Sequence, residues 1–199
     1  MSLYFDLLPD ELLVNIVYYM NDLELYDNEY LHVKLNNAWP LLFIFSFPDI
    51  NINLIEPIDY LMKDFDYYFL IYSNLKFAYL GVKHEINKIN TEYHKAINKL
   101  KPEDRTSGFN LLDFINMNGV LRHEFSLESI GNTKLKLLIL NKNKQMKDRF
   151  IRLDQYDYFT LEIYYNKFEI RSRMLNDKIK ITSQEALHLA IYLRYASVY

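Results

Sequence analysis

The chain holds five histidines, His32, His84, His94, His123 and His188, and no cysteine. No two of the histidines stand at the i, i+4 spacing that puts a metal-binding pair on one helix face. His84-Glu85 and His123-Glu124 each lack the second histidine of a His-Glu-x-x-His zinc site. Thiol chemistry, disulfides and cysteine-based zinc sites are excluded by composition. No glycine-rich phosphate loop and no Gly-x-Ser-x-Gly nucleophile turn is present. One set of charged residues near the C-terminus could do chemistry. Asp154, Glu162, Glu169, Arg171 and Arg173 have the types found in a divalent-metal nuclease. Such centres usually carry an acid-x-Lys pair on one strand, and Glu169-x-Arg171 supplies arginine instead. Cross-strand charge pairing on a solvated sheet face accounts for the same residues. Arg171, Arg173, Lys178 and Lys180 form a modest basic patch, able to touch a phosphate or an acidic partner. The residues thus predict no catalytic site, no metal and no cofactor.

The elements that must position these residues are read from periodicity. After a polar stretch at Lys101 to Ser107, the apolar period changes from 3.6 to 2. Asn118-Gly119 is a hairpin signal between Phe114–Met117 and Val120–Arg122. Gly131-Asn132 reads as a second turn, leading into a strand over Lys134–Leu140, and Asn141-Lys142-Asn143 as a third. Phe150–Leu153 and Tyr158–Tyr165 look like strands, and Asn166-Lys167 turns the chain into Phe168–Met174. In that last strand Phe168, Ile170, Ser172 and Met174 share one face while Glu169, Arg171 and Arg173 share the other. Thr182-Ser183-Gln184-Glu185 is a capping box opening a helix to about Tyr195, with Ala186, Leu187, Ala190 and Ile191 available to cover the sheet. Residues 105–199 therefore predict an antiparallel meander closed by a helix.

Residues 51–104 carry a long helical seam. Ile58, Leu61, Phe65, Tyr68, Tyr72, Leu75, Tyr79, Val82, Ile86, Ile89, Tyr93, Ala96 and Leu100 recur at steps of three and four. A single helix over that span would be roughly 60 Å long. Up to Leu80 the segment is apolar almost all round, which predicts burial. After Gly81 its other faces are polar, and Gly81 is a candidate kink. Two arrangements fit: a helix that projects and pairs with a second copy, or a core helix followed by a surface helix folded back on the monomer. The tyrosines in the seam favour packing within the monomer.

Residues 1–50 form a helical module. In Leu8-Pro9-Asp10-Glu11-Leu12-Leu13-Val14-Asn15-Ile16-Val17, Pro9 suits a helix start. Asp10 and Glu11 meet the positive end of the helix dipole. Leu12, Leu13, Ile16, Val17 and Met20 form an apolar stripe. A second helical stretch is expected from about Leu23 to Leu35, with Leu23, Tyr26, Tyr30 and Leu31 inward, followed by Trp39-Pro40 and Leu41–Phe45. The Leu-Pro-acid-acid start with a downstream tryptophan resembles an F-box over about Leu7 to Phe45. That resemblance implies docking on a Skp1-like adaptor of a cullin-type ubiquitin ligase. It places Leu8, Pro9, Leu12, Leu13, Ile16, Val17 and Trp39 at the adaptor contact.

Half of the residues are apolar, which is enough for a core and argues against disorder. The net charge of −3 gives no strong nucleic-acid signal. No apolar run approaches the roughly 18 residues of a membrane span. The first residues lack the pattern of a signal peptide. A soluble, intracellular and cytoplasmic protein follows, in its own cell, a host cell or a virion. Tyrosine, phenylalanine, asparagine, isoleucine and lysine are frequent and glycine is scarce, as A/T-rich coding produces. With the F-box-like start, the composition is similar to that of large A/T-rich eukaryotic DNA virus proteins. The expected fold class is α+β. The expected function is a non-enzymatic protein–protein interaction adaptor with an unknown second protein partner. The alternatives are a virion-type assembly protein oligomerising through its central helix, making a homo-oligomer, and a metal-dependent nuclease.

Overall fold

The computed structural model describes residues 8–20, 22–27, 29–55, 65–103, 120–145, 158–165, 167–173 and 178–196. Helix α1, Asp10–Tyr19, starts as its sequence demands. Pro9 sits one position before the first helical residue, at φ −56° and ψ 149°, and its carbonyl accepts the N–H groups of Leu12 and Leu13. A proline there gives up no helical donor. Helix α2, Asp22–Tyr26, is a short link to α3, Glu29–Ser46. The helix expected over Leu23–Leu35 is instead these two, and α3 continues past Leu35 and through Pro40 to Ser46. Leu31, Leu35, Ala38, Trp39, Leu42, Phe43 and Ser46 are all buried, so one apolar face continues on both sides of the proline. Burying that face outweighs the cost of a mid-helix proline, about 3 kcal/mol. A single turn, α4 (Ile52–Ile55), then leads toward the long helix α5, Phe65–Lys99.

Helix α5 has 35 residues without interruption and is about 52 Å long. Phe65, Tyr68, Tyr72, Leu75, Tyr79, Val82, Ile89 and Ala96 of the expected seam are buried. Ile86, Tyr93 and Leu100 are half-buried, while Ile58 and Leu61 lie outside the described residues. Gly81 does not break the helix, and its missing side chain leaves room for the Arg194 guanidinium to lie over it. A Cβ there would stand 2.5 Å from the guanidinium carbon of Arg194. The outer half of α5 neither folds back nor projects alone. It packs on the sheet, where the Tyr93 ring stacks on Tyr165 at 3.8 Å.

Four strands form an antiparallel meander in the order β1-β2-β3-β4: Leu121–Ser126, Tyr158–Tyr164, Lys167–Ser172 and Lys178–Lys180. Leu121, Phe125, Phe159, Leu161, Ile163, Ile170, Ser172 and Ile179 point to one buried face. The strand expected over Tyr158–Tyr165 is present, as is the alternation of side-chain direction expected for β3. The segment expected as a strand over Lys134–Leu140 is instead part of helix α6, Thr133–Gln145. Two features decide this. The Asn132 side-chain oxygen accepts the N–H groups of Lys134 and Leu135, as an N-cap does. Leu135 and Ile139 are the buried pair, at i, i+4, and Leu137 is exposed. The Asn118-Gly119 hairpin and the Phe150–Leu153 strand lie outside the described residues.

Helix α7, Ser183–Ala196, closes the structure. Its capping box is formed: Thr182 N–H donates to Glu185 at 2.7 Å and Glu185 N–H donates to the Thr182 hydroxyl at 3.2 Å. Helix α7 lies between α5 and the inner face of the sheet. Buried side chains from Leu13 to Tyr195 belong to one apolar cluster. The architecture is α+β: a helical N-terminal part with one long helix, then a four-stranded antiparallel sheet and a final helix. No helix among the described residues is long and apolar enough to cross a membrane.

Candidate protein-binding surface

The residues able to do chemistry are dispersed or already engaged. His84 and His94 are exposed on α5, His123 is half-buried on β1, and His188 is buried on α7. No group of three His, Asp or Glu residues that could hold a metal ion occurs among the described residues. Asp154 lies outside them. Glu162 and Glu169 face each other across β2 and β3, only 5% and 9% exposed. Two carboxylates at directly opposed positions repel. Here cations offset that repulsion. Arg122 and Arg171 each reach Glu162 at 3.3 Å, and Lys178 reaches Glu169 at 3.0 Å. The Tyr164 hydroxyl donates to Glu162 and also lies 3.4 Å from Glu169. Burial and these carboxylates push that hydroxyl well above its ordinary pKa, so it stays a donor. The arrangement is a cross-strand ion-pair network.

His188 has a fixed role. Its Nε2 accepts the backbone N–H of Asn51 at 2.9 Å, which requires a neutral ring protonated on Nδ1. Burial holds its pKa below the ordinary histidine value, with Glu185 acting weakly the other way. The bond joins α7 to the loop after α3. Asp49 in the same loop accepts from Lys83 and from the Tyr79 hydroxyl, and these contacts hold its carboxyl below the usual carboxylate range. The N-terminal helices are thereby tied to the rest of the chain by directional bonds as well as by apolar packing.

The distinctive surface lies on α1 and α3. Of the seven residues placed at the adaptor contact, Leu13, Val17 and Trp39 are fully buried in the core. Leu13 and Val17, with Val14, form the side of α1 that packs on α3. Trp39 is enclosed by Phe43, Phe65, Tyr68 and Tyr72, all with ring centroids within 6.0 Å. Pro9 is exposed and Leu8 half-buried. Leu12 and Ile16 are 51% and 39% exposed, and Tyr19, three residues further, is 83% exposed. Positions 12, 16 and 19 lie in one line on the helix, opposite the buried face. So the expected single stripe is two stripes, one turned into the core and one to solvent.

The outer stripe continues onto α3. Tyr19 meets Tyr18 edge-on at 5.1 Å, and Tyr18 meets Phe45 at 5.3 Å. Leu41 and Ile44 are exposed beside Phe45. Seven exposed apolar or aromatic side chains thus lie on these two packed helices, joined across them by the Tyr19–Tyr18–Phe45 contacts. Single exposed leucines are ordinary on any protein, whereas a contiguous set marks an interaction site. The α3 contribution was missed in the sequence because the helix was ended at about Leu35, before Pro40. With the helix continued through it, the 3.6 period sends Leu41, Ile44 and Phe45 away from Leu42 and Phe43. Comparisons of the chain with protein-family models, with curated proteins and with solved structures give no match.

Proposed function

We propose that this chain is a non-enzymatic protein–protein interaction adaptor, whose F-box-like N-terminal module binds a Skp1-like protein and so recruits a target to a Skp1–cullin ubiquitin ligase. The observation that carries the reading is the solvent-facing line of Leu12, Ile16 and Tyr19 directly after Pro9. A leucine-proline helix start followed by an unburied apolar stripe is what a partner helix can cover. In this reading Leu8, Pro9, Leu12 and Ile16 touch the adaptor. Leu13, Val17 and Trp39 hold α1 and α3 in the shape that presents them. The setting is the cytoplasm of a eukaryotic cell, its own or that of a host if the chain is viral.

The test is titration of purified Skp1 into the full chain. Leu12→Asp/Ile16→Asp places two charges in the centre of the contact. Central interface residues carry about 2 kcal/mol or more each, so affinity should fall at least about 100-fold. Leu137→Asp, an exposed leucine on α6, serves as the control and should bind normally. Absence of binding by the wild type ends the proposal.

A second reading rests on a different observation. Leu70, Phe77 and Leu80 are exposed on the long helix α5, as an assembly protein that oligomerises through its central helix would need. Sedimentation decides it: a mass of 24.1 kDa at every concentration removes this reading.

A further inference from the structure

The outer face of the β3–β4 hairpin is a second, chemically different surface. Lys167, Glu169 and Arg171 point outward from β3, Arg173 follows in the same alternation, and Lys178 and Lys180 point outward from β4. Five cations and one anion share this face, on a chain whose net charge is −3. The single anion, Glu169, is paired with Lys178, and Arg171 is paired with Glu162 of the neighbouring strand. Lys167, Arg173 and Lys180 are exposed and make no ion pair among the described residues. The Nε–H of Arg171 is buried and meets no acceptor there either.

We infer that this face binds an extended acidic segment of a partner protein. Two features fix the chemistry. Outward side chains on one strand stand about 6.8 Å apart, and adjacent strands about 4.8 Å apart. An extended peptide with acids spaced by two residues has the same period, so its carboxylates fall in register with Lys167, Arg171 and Arg173, the place between being held by Glu169, which Lys178 neutralises. Length is set by electrostatics. The patch spans two short strands, and beyond it the chain is correspondingly acidic. Charges act over about 8 Å at physiological salt. A short acidic stretch matches the extent of the patch, while a chain of net charge −3 offers a long polyanion such as nucleic acid no added attraction beyond it. This inference stands apart from the helical surface of α1 and α3 and does not require it.

Fluorescence anisotropy on the full chain tests it, using a labelled peptide of alternating Glu and Ser. The Glu–Ser peptide should bind at low salt and weaken about tenfold or more as salt is raised toward about 0.5 M. Lys167→Ala/Arg173→Ala/Lys180→Ala should weaken binding about tenfold or more with an unchanged melting temperature, because all three side chains are exposed. Lys167→Arg/Lys180→Arg should bind as wild type. A Lys–Ser peptide should not bind. No binding of the Glu–Ser peptide by the wild type up to about 1 mM overturns the inference. Undiminished binding by the triple alanine variant does the same. Tighter binding of a single-stranded oligothymidylate replaces the acidic segment with nucleic acid. Loss of peptide binding in Ile16→Asp moves the site to the helical surface and equally overturns it.

Discussion

His188 makes a pH-dependent link between two parts of the chain. Its Nε2 is the acceptor for Asn51 N–H and cannot serve once protonated. In the unfolded chain the ring takes up a proton as pH falls through its ordinary value of 6.5, whereas burial keeps the folded ring neutral to lower pH. The unfolded state therefore binds more protons in that window. The stabilisation is complete above about pH 6.5 and is lost as pH falls toward the lowered folded value. His123 shifts in the same direction, through burial, with Glu85 opposing and Arg194 reinforcing. Urea midpoints should therefore drop between about pH 7.5 and pH 5.5. His188→Gln keeps an acceptor without a titrating group and should show a shallower drop, the remainder coming from His123. Equal drops in wild type and variant would assign the pH dependence elsewhere. Trp39 gives a separate prediction. It fills the aromatic cage of α3 and α5, but its indole N–H is buried with no partner among the described residues. Trp39→Ala should cost about 3–5 kcal/mol. Trp39→Phe removes the orphan donor along with some volume and should cost under about 1.5 kcal/mol by equilibrium denaturation. A loss of Skp1 binding in Trp39→Ala without loss in Trp39→Phe would reflect unfolding of the module, since the side chain does not reach the surface.

Helices α5 and α7 meet at a contact that can be measured as a coupling. Arg194 lies over Gly81, reaches Glu85 at 2.7 Å and sits 5.5 Å from the Phe77 ring. Replacing a mid-helix glycine by alanine gains up to about 1 kcal/mol of helix propensity. In wild type that gain is offset, because the new methyl pushes the guanidinium off its partners. In an Arg194→Ala background nothing obstructs it. Gly81→Ala should thus be near neutral alone and stabilising by about 1 kcal/mol with Arg194→Ala, a non-additive cycle read from denaturation midpoints. Additive values would mean that Arg194 does not depend on the missing Cβ. The same contact marks the limit of what sequence reveals about elements. The seam of α5, the capping box of α7 and the alternation of β3 depend on neighbours within a few residues, and all were legible. Gly81 read as a kink because its reason lies in α7, more than a hundred residues away. Lys134–Leu140 read as a strand because its Lys-Leu alternation is local, while the Asn132 cap and the burial of Leu135 and Ile139 depend on the fold. For the candidate surface, Leu12 and Ile16 were legible as apolar but not as outward. Choosing between the two stripes of α1 requires knowing that Val14, not Met20, completes the side that meets α3.

At the scale of the molecule, α5 is a strut between the two proposed binding faces. Trp39 of α3 packs on its Phe65–Tyr72 end, and Tyr165, just after β2, packs on Tyr93. From Tyr72 to Tyr93 the helix rises about 30 Å. The sheet turns its apolar face to α5 and α7, so its cationic face points away from the strut, and the α1–α3 surface sits at the other end. Apolar docking on one surface and salt-sensitive docking on the other then act independently. Two sites couple only through an element with two arrangements that both ligands bias, and a single packed core built on a continuous helix supplies none. A bridging adaptor needs this, because its two partners must be held at once and apart. The expected outcome is a ternary complex. Saturating Skp1 should leave the affinity for the Glu–Ser peptide unchanged within about twofold, and Skp1 should bind the peptide-saturated chain equally well. Leu12→Asp/Ile16→Asp should lose only Skp1, and the triple alanine variant only the peptide. Competition between the two ligands would place them on one surface and remove the bridge. Loss of one binding activity with the other intact would identify which of the two proposals fails.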